Sequence, residues 1–247
     1  SRKLDCRVIS VGNLTLGGTG KTPVVMMIAE TLRGNGHKPG ILSRGYGGNA
    51  KNEINVVCDG KNILLSPKVA GDEAVMMSQR LKNVPVLVGS DRYQTGLYAI
   101  EHFGVDTLIL DDGFQYLALK RDMNILLFDH QRPFGNGQLF PAGELREPKR
   151  EAHRADFVCI TRYSGATYPP GINEQLIKDL PVVKSTLRLD ILLNLDDGKA
   201  LDVSALNDQP IAAFSGIANP NDFRRILEQT GARVVYYHSV PDHHEYT

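Results

Sequence analysis

A glycine-rich segment lies between a short apolar run and a helical pattern near the start of the chain. It reads VGNLTLGGTGKT and runs from Val11 to Thr22. A predicted strand, Arg7–Val11, precedes it, and a predicted helix from about Lys21 to Leu32 follows. Glycines let backbone N–H groups turn inward around phosphate oxygens, and the helix N-terminus adds partial positive charge. The segment therefore predicts a phosphate-binding loop in an α/β fold.

The last two residues of this loop have side chains suited to a nucleotide. Lys21 can reach the β- and γ-phosphates, and the hydroxyl of Thr22 can bind Mg²⁺. The pattern G-x-x-x-x-G-K-[ST] fails at its first position, where Thr15 stands in place of glycine, so the loop is a variant form. The alternative is a glycine-rich turn without a ligand. It is disfavoured because strand, loop and helix occur in the required order.

Two pairs of acids accompany the loop. Asp111 and Asp112 end the apolar run LILDD, and carboxylates at the carboxyl end of a buried strand bind Mg²⁺ in nucleotide-dependent enzymes. Asp72 and Glu73 open a predicted helix. They either favour the helix dipole, or one faces the metal and the other the acceptor hydroxyl. The sequence leaves open which of Asp111 and Asp112 contacts Mg²⁺ directly.

A cluster of titratable residues, Asp242-His243-His244-Glu245, stands near the end of the sequence. Adjacent histidines are poorly placed to chelate one ion, and no HExxH or CxxC accompanies them, which disfavours zinc. A histidine beside an acid accepts protons near neutral pH, so the cluster is either a general base or a solvated turn. The choice between His243 and His244 stays open.

The alternation of apolar runs and helical patterns predicts the fold class. We expect an α/β protein with a P-loop NTPase-like, mainly parallel sheet, helices on both faces and a smaller C-terminal α/β lobe. Residues 1–182 would form the core domain, and residues 183–247 a two-stranded linker and an incomplete second lobe. The runs Ile54–Cys58 and Ile63–Leu65 are predicted to pair as a hairpin.

Composition excludes several classes of function. Lys plus Arg and Asp plus Glu both number 28, so the chain lacks the net basic charge that holds nucleic acid. The three cysteines, Cys6, Cys58 and Cys159, form no CxxC pair and fit a reducing compartment better than a disulfide framework. No apolar run approaches the roughly 20 residues of a membrane span.

Taken together, the motifs resemble the tetraacyldisaccharide 4′-kinase family, the lipid A kinases of Gram-negative bacteria. They run in the family's order over nearly the whole chain: VGNLTLGGTGKTP (Val11–Pro23), ILSRGYGG (Ile41–Gly48), AGDE (Ala70–Glu73), SDRY (Ser90–Tyr93), LDDGFQ (Leu110–Gln115), RDMNILL (Arg121–Leu127), PAGELREP (Pro141–Pro148), FSGIANP (Phe214–Pro220) and PDHH (Pro241–His244).

The resemblance implies a reaction and a location. The γ-phosphate of ATP would pass, with Mg²⁺, to the 4′-hydroxyl of tetraacyldisaccharide 1-phosphate, making lipid IVA in lipid A biosynthesis. The partners would be this acylated disaccharide lipid and the cytoplasmic surface of the inner membrane, where the family is peripheral. We expect a monomer that binds no nucleic acid. The family's amphipathic N-terminal helix and the rest of its C-terminal lobe are not among these 247 residues.

The resemblance also implies roles for individual residues. Those assigned to ATP are Gly17, Gly18, Thr19, Gly20, Lys21, Thr22 and Gln115, and those assigned to the metal are Thr22, Glu73, Asp111 and Asp112. Asp72 and His243 would form a proton-accepting dyad brought together by closure of the two domains. Lys21 and Arg92 would also be catalytic residues, and Tyr46 would lie in the substrate region.

Two other classes compete with a kinase. Partitioning-type P-loop ATPases share GG-x-GK[ST], but they carry a signature lysine where this chain has Leu16, and they lack a distant DHH element. A nucleotide-binding scaffold without catalysis would keep Lys21 but would not need the acids and bases of the GDE and DHH motifs.

Overall fold

The computed structural model describes residues 1–163, 165, 169, 171–172, 176–177, 180–217 and 220–241. The chain divides into two compact units, Ser1–Ser185 and Thr186–Thr247. The predicted boundary after residue 182 lies three residues before this division. The functional roles assigned to the two domains stay predictions.

In the first unit, the described residues form a central sheet and four helices. Its strands are β1 (Arg7–Asn13), β2 (Pro39–Ser43), β3 (Asn55–Cys58), β4 (Val86–Val88), β5 (Thr107–Asp111), β6 (Met123–Asp129), β7 (Phe157–Thr161) and β8 (Val182–Lys184). Its helices are α1 (Lys21–Gly34), α2 (Pro67–Ala70), α3 (Asp72–Arg80) and α4 (Arg92–Phe103), followed by a 3₁₀ turn at Lys149–Arg154.

The strand order is β3-β4-β2-β5-β1-β6-β7-β8, and every pair except β3–β4 is parallel. The predicted, mainly parallel sheet is therefore confirmed. β1 lies between β5 and β6. Because the carboxyl ends of parallel strands share one edge, the glycine-rich loop after β1 and the acids after β5 emerge side by side.

Helices cover both faces of this sheet, as predicted. Ile109 packs in the core with α1 and α3, whereas its neighbours Leu108 and Leu110 pack in the core with α4. Successive residues of a strand point to opposite faces, so burial of both faces requires a continuous apolar run. This explains why β5 reads TLIL rather than alternating with polar residues.

The predicted hairpin is present but short. Cys58 and Ile63 form an antiparallel bridge, next to which Leu64 N donates to the carbonyl oxygen of Val57 at 2.8 Å. The longer pairing of β3 is with β4. The side chains of Ile63 and Leu64 are about half exposed, whereas Val57 and Cys58 are buried in the core. The segment after the turn therefore buries little apolar surface, and its pairing does not extend into a strand.

Gly12 lies where the end of β1 approaches the turn after β5. A Cβ atom at this position would stand 2.6 Å from Phe114 Cβ and 2.7 Å from Phe114 N. We expect Gly12→Ala to lower the free energy of unfolding by about 1–3 kcal/mol, because backbone has to move. Gly34→Ala is the control, since nothing lies within 4 Å of its Cβ position, and it should raise stability by about 0.5 kcal/mol. Denaturant titrations of both variants measure this, and equal stabilities would contradict the prediction.

The described part of the second unit holds two small sheets. β9 (Ile191–Leu193) and β10 (Ala200–Asp202) pair antiparallel, and a 3₁₀ turn follows at Val203–Leu206. β11 (Pro210–Ser215), α5 (Pro220–Gln229) and β12 (Arg233–Ser239) form a β-α-β unit with parallel strands, in which Leu227 of α5 is buried. This is the smaller α/β lobe that the sequence predicts. Among the helices that the structure describes, none is both long and apolar enough to cross a bilayer.

Candidate active site

Two glycines of the predicted phosphate-binding loop have left-handed backbone conformations. Gly17 and Gly20 have φ of 95° and 78°, in the left-handed region that favours glycine. Gly20 is the N-cap of α1 and carries no side chain to cap the helix. The N–H groups of the first turn of α1 therefore remain available to an anion, and the helix dipole favours one there.

Lys21 lies between the ends of β1 and β5. Its Nζ donates to Asn13 Oδ1 at 3.2 Å and lies 3.5 Å from Asp112 Oδ1. The second oxygen of Asp112 accepts from Arg146 Nη1 at 2.7 Å. Burial favours a raised pKa for Asp112, but Lys21 and Arg146 together outweigh burial and lower the pKa below its ordinary value. Asp112 is therefore a carboxylate shared by two cations.

Asp111 has a different environment, although it is adjacent in sequence. It is buried at the end of β5, and its Oδ2 accepts from Ser43 Oγ at 3.0 Å. Within the described part of the chain, its Oδ1 has no hydrogen-bond partner. Burial, with the nearby charges of Glu73 and Asp112, raises the pKa of Asp111 to about 6. A buried carboxylate oxygen without a donor is costly unless a cation satisfies it.

A hydrogen bond connects the first turns of α1 and α3. Thr22 Oγ1 donates to Glu73 Oε1 at 3.1 Å, and Thr22 is buried. Glu73 is near enough to Asp111 to raise its pKa. The four predicted metal residues thus supply only oxygen donors, which suit Mg²⁺.

These donors do not form a closed cage. Across the residues that the structure describes, no three Asp, Glu, His or Cys side chains are arranged to hold a metal by themselves. Mg²⁺ usually keeps several waters and binds through one or two carboxylates together with substrate phosphates. An open set of oxygen donors beside a phosphate-binding loop therefore fits Mg²⁺.

The start of α3, where Asp72 lies, is close to the backbone of Tyr46. Asp72 is exposed in the first turn of α3, directly before Glu73. Gly71, at the start of α3, has φ 88°, and a Cβ atom there would stand 2.5 Å from the carbonyl oxygen of Tyr46. The side chain of Tyr46 is 78% exposed. The predicted substrate-region aromatic and one predicted proton acceptor are thus neighbours.

Arg92 is buried at the first position of α4. Its N–H donates to Tyr116 Oη at 3.1 Å, and its guanidinium lies over the Tyr116 ring, 5.1 Å from the centroid. Burial, with the nearby charge of Arg44, lowers the pKa of Arg92, while Asp111 and Asp112 act in the opposite direction. Arg92 is therefore close enough to Asp111 and Asp112 for their charges to affect its pKa.

Gln115 contacts the end of β1, the strand that precedes the glycine-rich loop. Its Nε2 donates to the carbonyl oxygen of Asn13 at 2.9 Å, while its buried Oε1 has no partner among the described residues. The side-chain oxygen and the second N–H of the amide are therefore left for a ligand. Its predicted contact with the nucleotide stays a prediction.

His243 lies outside the described residues, as do Asp242, His244 and Glu245. Its pairing with Asp72 stays a prediction. The remaining site residues that the sequence predicts lie along the carboxyl edge of the sheet or on the helices and loops beside it.

Several residues of the site were missed from the sequence or left unassigned. Asn13 orients Lys21, Ser43 contacts Asp111, and Arg146 pairs with Asp112. Thr161 and Arg162 contact the glycine-rich loop from the end of β7. For three of these residues the sequence did contain a signal. Asn13, Ser43 and Thr161 are each the polar last residue of a buried parallel strand.

The raised pKa of Asp111 gives a stability prediction. The pKa of Asp111 is 3.8 in the unfolded chain and about 6 in the folded protein. The free energy of unfolding therefore falls as the pH rises from about 4 to about 6, and it stays lower above pH 6. Without Mg²⁺, we expect Asp111→Asn to raise the free energy of unfolding at pH 8 by about 2–3 kcal/mol. The gain should shrink as the pH falls through 6 and disappear near pH 4.

Denaturant unfolding at pH 4, 6 and 8 measures this difference. Asp59→Asn is the control, because the carboxylate of Asp59 accepts N–H groups from Lys61 and Asn62, which lower its pKa. It should give no gain at pH 8. A pH-independent effect of Asp111→Asn would contradict the prediction.

Comparison with known proteins identifies relatives over the whole chain. The sequence profile of the tetraacyldisaccharide-1-P 4′-kinase family, LpxK, matches residues 1–247. The tetraacyldisaccharide 4′-kinase of Syntrophus aciditrophicus is 46% identical, covering 100% of this chain and 69% of the relative. The enzyme of that name from Pelobacter propionicus is 42% identical, covering 100% and 67%.

A solved structure shares the fold. The crystal structure of the "apo" form of LpxK from Aquifex aeolicus, in complex with ATP, superposes with a TM-score of 0.81 at 36% identity. The match covers 98% of this chain and 73% of that one.

Proposed function

The chain belongs to the tetraacyldisaccharide-1-P 4′-kinase family, and we propose that it transfers the γ-phosphate of ATP to the 4′-hydroxyl of a tetraacyldisaccharide 1-phosphate. The product would be lipid IVA, within lipid A biosynthesis. The observation that carries this proposal is the set Lys21, Thr22, Glu73, Asp111 and Asp112 at one sheet edge, beside the glycine-rich loop.

Phosphoryl transfer requires mainly positioning and charge neutralisation, which this set supplies. Lys21, already aligned by Asn13 and Asp112, would move to the β- and γ-phosphate oxygens. Asp112 would remain ionised because of Arg146, and Arg92 would add positive charge from α4. The N–H groups of Gly17–Thr22 would surround the phosphates.

We assign the metal-binding role to Thr22, Glu73, Asp111 and Asp112. The partnerless Asp111 Oδ1 and the purely oxygen donor set fit Mg²⁺. When bound, Mg²⁺ neutralises charge that develops on the phosphates. Asp111, which is buried, would face the metal, and Asp72, which is exposed, would face the acceptor.

Asp72 and His243 would accept the proton of the 4′-hydroxyl. The hydroxyl oxygen forms a bond to the γ-phosphorus, the bond from that phosphorus to the β,γ-bridging oxygen breaks, and ADP leaves. The hydrogen bond of Glu73 with Thr22 supports this division, because it holds Glu73 beside the phosphate loop, while the exposed side chain of Asp72 could reach the acceptor.

The substrate and location are part of the same proposal. The acylated disaccharide would enter on the side of Tyr46, which is exposed and adjacent to the start of α3. The protein would work as a peripheral monomer at the cytoplasmic face of the inner membrane. The partitioning-type ATPase is disfavoured, because Leu16 occupies the place of its signature lysine.

ADP release measured with and without detergent-dispersed tetraacyldisaccharide 1-phosphate tests this function. We expect release to depend on the acylated disaccharide and to stay at background with detergent alone or with a 4′-phosphorylated disaccharide. ADP release that is independent of the disaccharide would indicate a switch-type ATPase. ATP binding without any release would indicate a scaffold.

A further inference from the structure

Two side chains from the end of β7 hold carbonyl groups of the glycine-rich loop. Thr161 Oγ1 donates to the carbonyl oxygen of Thr19 at 2.8 Å, and Arg162 Nη2 donates to the carbonyl oxygen of Gly18. The other end of the Arg162 guanidinium pairs with Asp129, the last residue of β6. The loop that follows β1 is thus tied to the next two strands of the sheet.

These contacts determine where the N–H groups of the loop point. In a planar trans peptide, the C=O of one residue and the N–H of the next point in opposite directions. With the carbonyls of Gly18 and Thr19 held on the β7 side, the N–H groups of Thr19 and Gly20 must point away from β7. Successive N–H groups turned to one side form the concavity that binds phosphate oxygens.

The contact of Thr161 with Thr19 is buried, whereas the contact of Arg162 with Gly18 lies at the surface. Thr161 is buried, and the Arg162 side chain is 18% exposed. Arg162 itself has φ 52°, a left-handed conformation that a non-glycine residue adopts at some cost. Such a conformation persists where the surrounding contacts determine it, and it occurs disproportionately at ligand sites.

We propose that Thr161 and Arg162 are positioning residues for ATP, which hold the glycine-rich loop in its phosphate-binding conformation before the nucleotide arrives. Arg162 also places a positive charge against the loop. The inference rests on the proposed function, since it takes ATP as the ligand of the loop. It assigns to the end of β7 a role in binding the triphosphate rather than the nucleoside.

The test measures ATP affinity by competition with a fluorescent ATP analogue. We expect Thr161→Val to weaken ATP binding roughly 5-fold, because a neutral hydrogen bond is lost. Arg162→Met should weaken it roughly 10- to 100-fold, because a charge-assisted bond is lost. Thr161→Ser keeps the hydroxyl and should restore wild-type affinity.

Matched controls separate this effect from general damage. Thr95→Val removes a buried hydroxyl that donates to the carbonyl oxygen of Asp91 at 2.8 Å in α4. Arg224→Met removes an arginine that pairs with Glu228 at 2.8 Å in α5. Both should leave ATP affinity unchanged. In the steady state, Arg162→Met should raise KM for ATP and leave KM for the acylated disaccharide unchanged.

Tripolyphosphate is the second probe, because it has phosphates but no nucleoside. We expect Arg162→Met to weaken tripolyphosphate binding by the same factor as ATP binding. If ATP weakens while tripolyphosphate does not, Arg162 acts on the nucleoside and the inference is overturned. Wild-type affinity in both Thr161→Val and Arg162→Met also overturns it. A wild-type protein that binds no ATP would instead refute the proposed function, and this inference with it.

Discussion

Replacing Lys21 by methionine should lower kcat/KM for ATP by roughly 10³-fold, within the range of a lost preorganised charge donor. The Nζ atom of Lys21 lies 3.5 Å from Asp112 Oδ1 and is held by Asn13, so the ammonium needs little reorganisation to reach a triphosphate. Methionine keeps the apolar stem and removes the charge. Steady-state rates of ADP release with saturating acylated disaccharide measure the loss.

Lys199→Met provides the control for this variant. Lys199 also pairs with a carboxylate, Asp197, at 2.8 Å, but it lies in the second unit and on the surface. Its activity should match the wild type. Near-normal kcat/KM in Lys21→Met would contradict the assignment of the glycine-rich loop to the ATP phosphates.

Replacing Asp72 by alanine or asparagine, or His243 by alanine, should lower kcat by about 10²–10⁴-fold, the usual contribution of general acid–base catalysis. KM for ATP should change far less, because the phosphates are held by the loop and by Lys21. The exposed position of Asp72, outside the contact between Thr22 and Glu73, is the physical reason for this separation. Initial rates over a grid of both substrate concentrations measure the two constants.

Two neighbours serve as controls for the dyad. Glu73→Gln should raise KM for ATP at limiting Mg²⁺, since Glu73 contacts Thr22 at the start of α1. His244→Ala should keep most of the activity if His243 is the base. Full activity in Asp72→Ala or His243→Ala would refute the dyad, and loss in His244→Ala alone would transfer the role to His244.

Local signals in the sequence predict where several candidate site residues lie in the fold. The glycines of the loop, the helix that starts at Lys21 and the acids at the end of β5 are neighbours in sequence or in a regular sheet. Their placement therefore follows from strand order alone. The different environments of Asp111 and Asp112 do not follow. Asp112 has φ 53°, and its carboxylate contacts Lys21 and Arg146, which requires the folded turn.

Contacts between distant segments explain what the sequence did not predict. Thr161 and Thr19 are 142 residues apart in the chain, and no local pattern pairs them. The hairpin shows the same division between local and distant contacts. The Asp59–Gly60 turn is a local signal, and it pairs Cys58 with Ile63 as predicted. The longer pairing of β3 with β4 joins segments that are distant in the chain, and no local pattern indicates it.

Transfer of labelled phosphate tests the central claim most directly. The protein is incubated with γ-³²P-labelled ATP, Mg²⁺ and detergent-dispersed tetraacyldisaccharide 1-phosphate, and the phosphorus position in the lipid product is determined by NMR. We predict one labelled phosphate per ADP formed, attached to the 4′-oxygen. ADP formation with the label released as inorganic phosphate, or with the label at another oxygen, would contradict the proposed kinase function.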